Sequence, residues 1–285
     1  MLSLIVEFGF VRRTLIVGLM LAIAIPLIGI VMVNRRTSMM GDALSHTSLA
    51  GVALGLIAGF PPVAGAIVVA VLGAFAIEGI RSRFPHYGDM ATAVTLSAGL
   101  GVAVILSDLA PSGRSFDSYL FGSISAVTET DVWLTSVVFA LVVATSVVCY
   151  GSLLDMVVDP ILARLAGNRV GVVNAVFTAL AAVTVALAVK VIGALLVVSL
   201  MVLPVATALI VARSYSQAFW FSIGASILYT MTGLVISYSV DVRPGGAIVV
   251  TAVIGMGLVA LFRKLRPASR ELAIPDPAIK AVGGA

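Results

Sequence analysis

Eight uncharged runs, most of them about as long as a membrane is thick, divide this chain and leave few folds open to it. They cover residues 14–33, 47–77, 90–107, 132–154, 170–189, 191–212, 214–240 and 244–262. About 20 residues of helix cross a hydrocarbon core of ~30 Å. Inside that core every backbone amide must find its partner within the segment, which a helix does and an open strand does not. The second run holds 31 residues and is interrupted at Pro61–Pro62, so it reads as two helices. The expectation is an all-α polytopic membrane bundle of about nine transmembrane helices, with eight as the alternative count. Only 11% of the residues are charged, against about 25% in soluble domains. The membrane domain is expected over residues 1–266, followed by a short tail, 267–285, read as disordered.

Several function classes drop out. Glu7 precedes Arg12 and no basic segment comes before an apolar core, so a cleaved secretory leader is not expected. The single cysteine, Cys149, lies in an apolar run, which argues against a disulfide framework or a thiolate metal site. The net charge of +4 is better read as a topology signal than as a nucleic-acid footprint. Counting spans outward from the segment after Leu154, one side collects Arg35, Arg36, Arg81, Arg83, Arg164, Arg169, Arg213, Arg263, Lys264, Arg266, Arg270 and Lys280. The other collects Arg12, Arg13, Arg114, Lys190 and Arg243. Twelve against five places the first set in the cytoplasm, with the N-terminus outside and the C-terminus inside. Arg12 and Arg13 fit this worst and point to an interfacial N-terminal helix or a miscounted span. Glycines recur inside the spans, at 51, 55, 59, 193, 255 and 257, where they allow the close helix approach that drives association in lipid. Pro26 and Pro204 lie within spans and are expected to kink them.

Polar residues inside such runs are costly, roughly 2.5–3.5 kcal/mol for a charge at the bilayer centre, and so are informative. In GDALSHTSLAGVALG (41–55), Asp42 and His46 stand four apart. Positions i and i+4 share a helix face, so carboxylate and imidazole can address one ion, and an oxygen–nitrogen pair suits divalent manganese, zinc or iron. Equally, His46 could hydrogen-bond Asp42 and simply pack the helix. Two ligands hold a metal weakly. A two-fold dimer with its axis near this helix, and with Ser45 and Leu49 on the facing side, would bring together four. His86 lies in a short loop, Lys190 and Glu78 read as span boundaries, and Asp241 reads as a cap or loop carboxylate with a possible role at an outer gate. In DMVVDPILARLAGNR (155–169), Asp159 and Pro160 form a helix start, Ile161, Leu162, Leu165 and Ala166 follow at helical spacing, and Gly167 is a stop. This two-turn helix is either an amphipathic linker on the bilayer or a docking helix for a cytoplasmic partner.

GDALSHTSLAGVALG resembles the signature of the manganese/zinc/iron permease family of ABC importers. SFDSYLFGSISAVTETDV, DPILARLAG, VIGALLVVSLMVLPVATA and SYSVDVRPGGAIVV resemble that family's outer connection, coupling helix, third-last span and last turn, in the same order. The resemblance implies a type II importer-like permease in the bacterial inner membrane, homodimeric or paired with a paralogous permease. It implies a cytoplasmic ABC ATPase dimer as partner, which binds the ATP, and an extracytoplasmic metal-binding protein that delivers cargo. Asp42 and His46 then fall on the family's metal-coordinating pair. Asp159, Pro160, Leu162, Leu165 and Gly167 fall on the segment that meets the ATPase. Ala50 departs from the family's frequent proline.

No G-x-x-x-x-G-K-[ST] motif is present, so this chain is read as a permease subunit and not an enzyme, with no intrinsic cofactor and with hydrolysis supplied by another polypeptide. An ion-coupled secondary transporter is the competing class. No inverted repeat is evident, and few carboxylates lie where ion coupling needs them. An intramembrane metalloenzyme would need a third ligand and a base, which no motif here supplies. The donor pair admits manganese, zinc and ferrous iron and does not choose among them.

Overall fold

The computed structural model describes residues 9–84, 87–109, 113–123, 127–158 and 170–265. All regular structure among them is helical: α1 (Gly9–Asn34), α2 (Met40–Ala58), α3 (Pro62–Arg83), α4 (Gly88–Leu109), α5 (Gly113–Phe121), α6 (Glu129–Val148), α7 (Tyr150–Val158), α8 (Val170–Val191), α9 (Val197–Val211), α10 (Tyr215–Val240) and α11 (Pro244–Leu265). Seven of these are long and apolar enough to cross a membrane: α1 from Arg12 onward, α3, α4, α6, α8, α10 and α11. Every expected run falls on a helix, but α2 and α9 do not meet the measure of a span. Helix α9 has only 15 residues, and α2 carries Asp42, His46 and three hydroxyl side chains among its 19.

Local chemistry sets the boundaries. Helix α2 stops at Gly59, which takes φ 75 and returns its N–H to Gly55. Pro61 follows, and Pro62 opens α3 in the first turn, where its missing donor does no harm. Thr128 caps α6: its hydroxyl accepts from the Asp131 N–H, and the Asp131 carboxylate reaches back to the Thr128 N–H. Ser214 caps α10. Both Pro26 and Pro204 are accommodated inside their helices.

Several expectations are corrected. The run 132–154 is not one span, because α6 ends at Cys149 and a second helix, α7, begins there. The segment resembling the family's outer connection carries helix α5. Arg12 and Arg13 belong to α1, which is continuous from Gly9 to Asn34, so no separate interfacial helix precedes it among the described residues. Lys190 does mark a boundary, standing in the last turn of α8, whereas α3 continues past Glu78 to Arg83. The expected docking helix (Asp159, Pro160, Leu162, Leu165, Gly167), His86 and the tail 267–285 lie outside the described residues.

Helix α2 is the hub, packed against α3, α4, α8 and α9. Its residues 40, 41, 43–53 and 55 are all buried. Helix α1 lies against α6, α8, α9 and α10, and α9–α11 form a three-helix group at its side. Apolar side chains that face out, such as Val68, Leu72, Ile105, Leu228 and Ile254, belong to the peripheral helices. That inversion is expected where the surroundings are as apolar as the core.

Candidate functional site

The alternating helix directions sort the basic residues by end. Arg35, Arg36, Arg81, Arg83, Arg213, Arg263 and Lys264 lie at one end of the bundle; Arg12, Arg13, Arg114, Lys190 and Arg243 lie at the other. Helix α2 starts at the Arg35 end, two to three residues beyond a tight turn. In that turn Arg36 has φ 55, and the Thr37 N–H and hydroxyl both donate to the Met32 carbonyl.

Asp42 and His46 occupy the first two turns of α2 on one face. His46 Nε2 stands 3.6 Å from Asp42 Oδ1, too far for a hydrogen bond. Two donor atoms bound to one tetrahedral ion at ~2.1 Å each stand roughly 3.4 Å apart, so the gap matches shared coordination better than direct pairing. The two side chains differ in access. Asp42 is open, its side chain 34% exposed, whereas that of His46 is 10% exposed. His46 Nδ1 is buried without a hydrogen-bond partner among the described residues, a condition that costs about 1–3 kcal/mol if nothing pairs it. A carboxylate in the first turn is also favoured by the helix dipole. The described residues hold no group of three or more His, Cys, Asp or Glu side chains able to share an ion.

Ser45 and Leu49 do not face outward. They are 0% and 1% exposed, buried inside a single chain between α2 and its neighbours. A second copy cannot meet α2 through them; the open side of the pair is that of Asp42. Asp241 lies at the opposite end of the bundle, exposed, closing α10 with φ 55 and donating its N–H to the Ser237 carbonyl. This is the geometry of a helix stop.

Two further polar clusters tie the ends of the bundle. At the Arg35 end, Arg35 Nη1 donates to Asn174 Oδ1 at 2.5 Å. Asn174 Nδ2 donates to Glu78 Oε1 at 2.7 Å, and Glu78 Oε2 lies 3.6 Å from Arg81 Nη1. Helices α1, α8 and α3 are joined there through one buried amide. Burial lowers the Arg35 pKa from its ordinary value, Glu78 opposes that, and Arg81 adds to it. At the other end, Lys190 Nζ donates to Asp131 Oδ2 at 2.6 Å, with both side chains nearly enclosed. The same oxygen accepts from the Thr128 N–H and hydroxyl. Tyr119 is raised above the usual phenol range, first by burial and then by the Asp131 charge. Arg13 pairs with Glu129 at 2.5 Å, and Arg243 lies 4.1 Å over the Phe121 ring. Arg13, which together with Arg12 fitted the charge count worst, thus has an acid of its own. Asp131 could have been found in the sequence, since T-E-T-D before an apolar run is a capping pattern. Asn174 is flagged only by being an amide among valines and alanines.

The chain has relatives over most of its length. The description "ABC 3 transport family" matches residues 7–264. The manganese import system permease protein ScaB of Streptococcus parasanguinis is 33% identical over 248 residues, 87% of this chain and 89% of that protein. The high-affinity zinc uptake system membrane protein ZnuB of Haemophilus influenzae is 29% identical over 260 residues, 91% of this chain and 99% of that protein. Among solved structures, PsaBC from Streptococcus pneumoniae in complex with Fab superposes with a TM-score of 0.82 at 30% identity, covering 93% of this chain and 98% of that one.

Proposed function

This chain belongs to the ABC 3 transport family, and on that premise we propose that it is the membrane permease of an ATP-driven importer for divalent transition metal ions, with Asp42 and His46 as the ligands of the cargo. The observation that carries the reading is local. A carboxylate and an imidazole sit on one face of the most enclosed helix, a cargo-sized gap apart, with the second ring nitrogen left unpaired. Relatives named for manganese and for zinc both cover most of the chain, and the donor set accepts either, as well as ferrous iron.

In this reading a metal-binding protein delivers the ion at the Arg13 end, which faces outward. The ion passes between Asp42 and His46 and leaves at the Arg35 end. Two chains, or this chain and a paralogous permease, meet on the Asp42 side, so that four ligands surround one ion. The dehydrated ion needs that many donors, because two leave most of its coordination sphere to water. An ATPase dimer supplies the energy and presses on residues 159–167, where Asp159 and Pro160 start a helix, Leu162 and Leu165 give it an apolar face, and Gly167 ends it. The membrane domain is read as nine helices, including α2 and α9, with a cytoplasmic tail at 267–285. Asp241 stands at the outer end as the remaining acidic candidate for a gate.

The test is metal uptake in a strain lacking its own importer and supplied with the whole transport system. Asp42→Ala and His46→Ala are each expected to abolish uptake of manganese or zinc while the protein still reaches the membrane and still co-purifies with its ATPase. Normal uptake by the double variant would refute the assignment. Leu165→Glu is expected to break co-purification, because an unpaired charge in a protein groove is expensive. Uptake that persists without any ATPase would point instead to an ion-coupled carrier.

A further inference from the structure

Thr47 follows His46 directly and is 5% exposed. It fills a groove made by two glycines on two other helices. A Cβ on Gly73 of α3 would stand 3.0 Å from Thr47 Oγ1, 3.1 Å from Cγ2 and 3.3 Å from Cβ. A Cβ on Gly99 of α4 would stand 2.6 Å from Thr47 Cγ2 and 3.0 Å from its Cα and N. The hydroxyl turns back into α2 and donates to the carbonyls of Ala43 at 2.9 Å and Leu44 at 3.0 Å, the two peptide groups after Asp42. One and two turns further on, the same face of α2 meets α3 again, backbone to backbone at Gly51 and Gly65, and then at Gly55 and Pro62. Residues 47, 51 and 55 therefore form a stripe keyed into α3, and residues 42 and 46 form a second stripe about 100° away around the helix.

We propose that Thr47 is a positioning residue: seated between Gly73 and Gly99, it sets the rotation of α2 and so the direction in which Asp42 and His46 present their donor atoms. The geometry makes the dependence steep. Side-chain tips lie about 6 Å from a helix axis, so a 20° rotation moves them roughly 2 Å. Ligand groups tolerate about 0.5 Å. Thr47 touches no ion itself. Its methyl fixes the angle against two glycine surfaces, and its hydroxyl tightens the turn that carries Asp42. The inference rests on the reading of Asp42 and His46 as ligands.

The experiment measures the dissociation constant for Mn2+, and for Zn2+ in parallel, by equilibrium dialysis of the purified permease with its ATPase. Thr47→Ala and Gly73→Ala are each expected to weaken Mn2+ at least fivefold and to change the Mn2+/Zn2+ ratio. Thr47→Ser, which keeps the hydroxyl, should lose less than Thr47→Ala. The double variant Thr47→Ala/Gly73→Ala swaps the methyl from one helix to the other. The nearest remaining Thr47 atom is then the Cβ, 3.3 Å from the new group, and binding should return to within twofold of the parent. A role confined to stability would shift melting and leave the constants alone. The proposal is overturned if Thr47→Ala and Thr47→Ser both bind within twofold of the parent while Asp42→Ala loses binding. It is also overturned if the double variant is no better than the weaker single one. If Asp42→Ala itself binds normally, the ligand assignment fails, and the positioning role fails with it.

Discussion

Lys190→Met isolates the most enclosed charge pair among the described residues. Lys190 Nζ and Asp131 Oδ2 are 2.6 Å apart, and their side chains are 13% and 12% exposed. At an effective dielectric constant of 20 the attraction is on the order of 6 kcal/mol, and desolvation of both ions offsets most of it. The pair as a whole is therefore worth little, but half of it is expensive. Removing the ammonium leaves a buried carboxylate, typically at a cost of about 3–5 kcal/mol. The two Thr128 donors still reach Asp131 Oδ2, which places the expected loss at the lower end, about 3 kcal/mol. At about 2–4 °C per kcal/mol this is a fall of roughly 6–12 °C in melting temperature. The assay is thermal unfolding of the detergent-solubilised permease followed by fluorescence-detected size exclusion at one fixed heating rate, since membrane proteins seldom refold. Asp131→Asn alone should lose a similar amount, and Asp131→Asn/Lys190→Met should recover most of it, with a coupling of about 2 kcal/mol or more. Additive losses in the double variant, or a shift under 2 °C for Lys190→Met, would show that water reaches the pair and that the enclosure argument is wrong.

Asn174→Ala removes the amide that joins Arg35 to Glu78; a loss of about 2–4 kcal/mol is expected in the same assay, because both lost bonds involve charged groups. Arg13→Ala should move melting by less than about 4 °C, since the Glu129 side chain is 79% exposed and such pairs contribute under ~1 kcal/mol. Gly51→Val would drive a side chain into the Gly65 carbonyl and should abolish monodisperse protein, whereas Gly79→Ala, with open space around it, should be silent on size exclusion.

Helix positions were legible because the membrane makes them so. A run of 20 apolar residues has one stable backbone arrangement in lipid, and Pro61–Pro62 and Gly59 mark a break that any helix must respect. The Asp42–His46 pair was legible for the same reason: i and i+4 share a face whatever surrounds them. Charge partners were not. Lys190 reads as an end because lysine is costly in lipid, and it stands in the last turn of α8, but nothing local shows that Asp131 on α6 neutralises it there. Ser45 and Leu49 share one side of α2 with the pair by any helical projection, and only the packing of α3, α4, α8 and α9 around that helix shows that they lie inside one chain.

The sequence by itself determined the class of solvent, the backbone structure that such a solvent allows, and an acid–imidazole pair placed on a shared face. Those are properties of composition and of a 3.6-residue period. The tertiary structure decided which helix is enclosed, which way its donors turn, and which charges are paired. Those depend on contacts between residues far apart in the chain, such as Thr47 against Gly73 and Gly99, or Arg35 reaching Glu78 through Asn174. No local pattern carries them, because a glycine looks the same in sequence whether it faces open space or the side chain of a neighbouring helix.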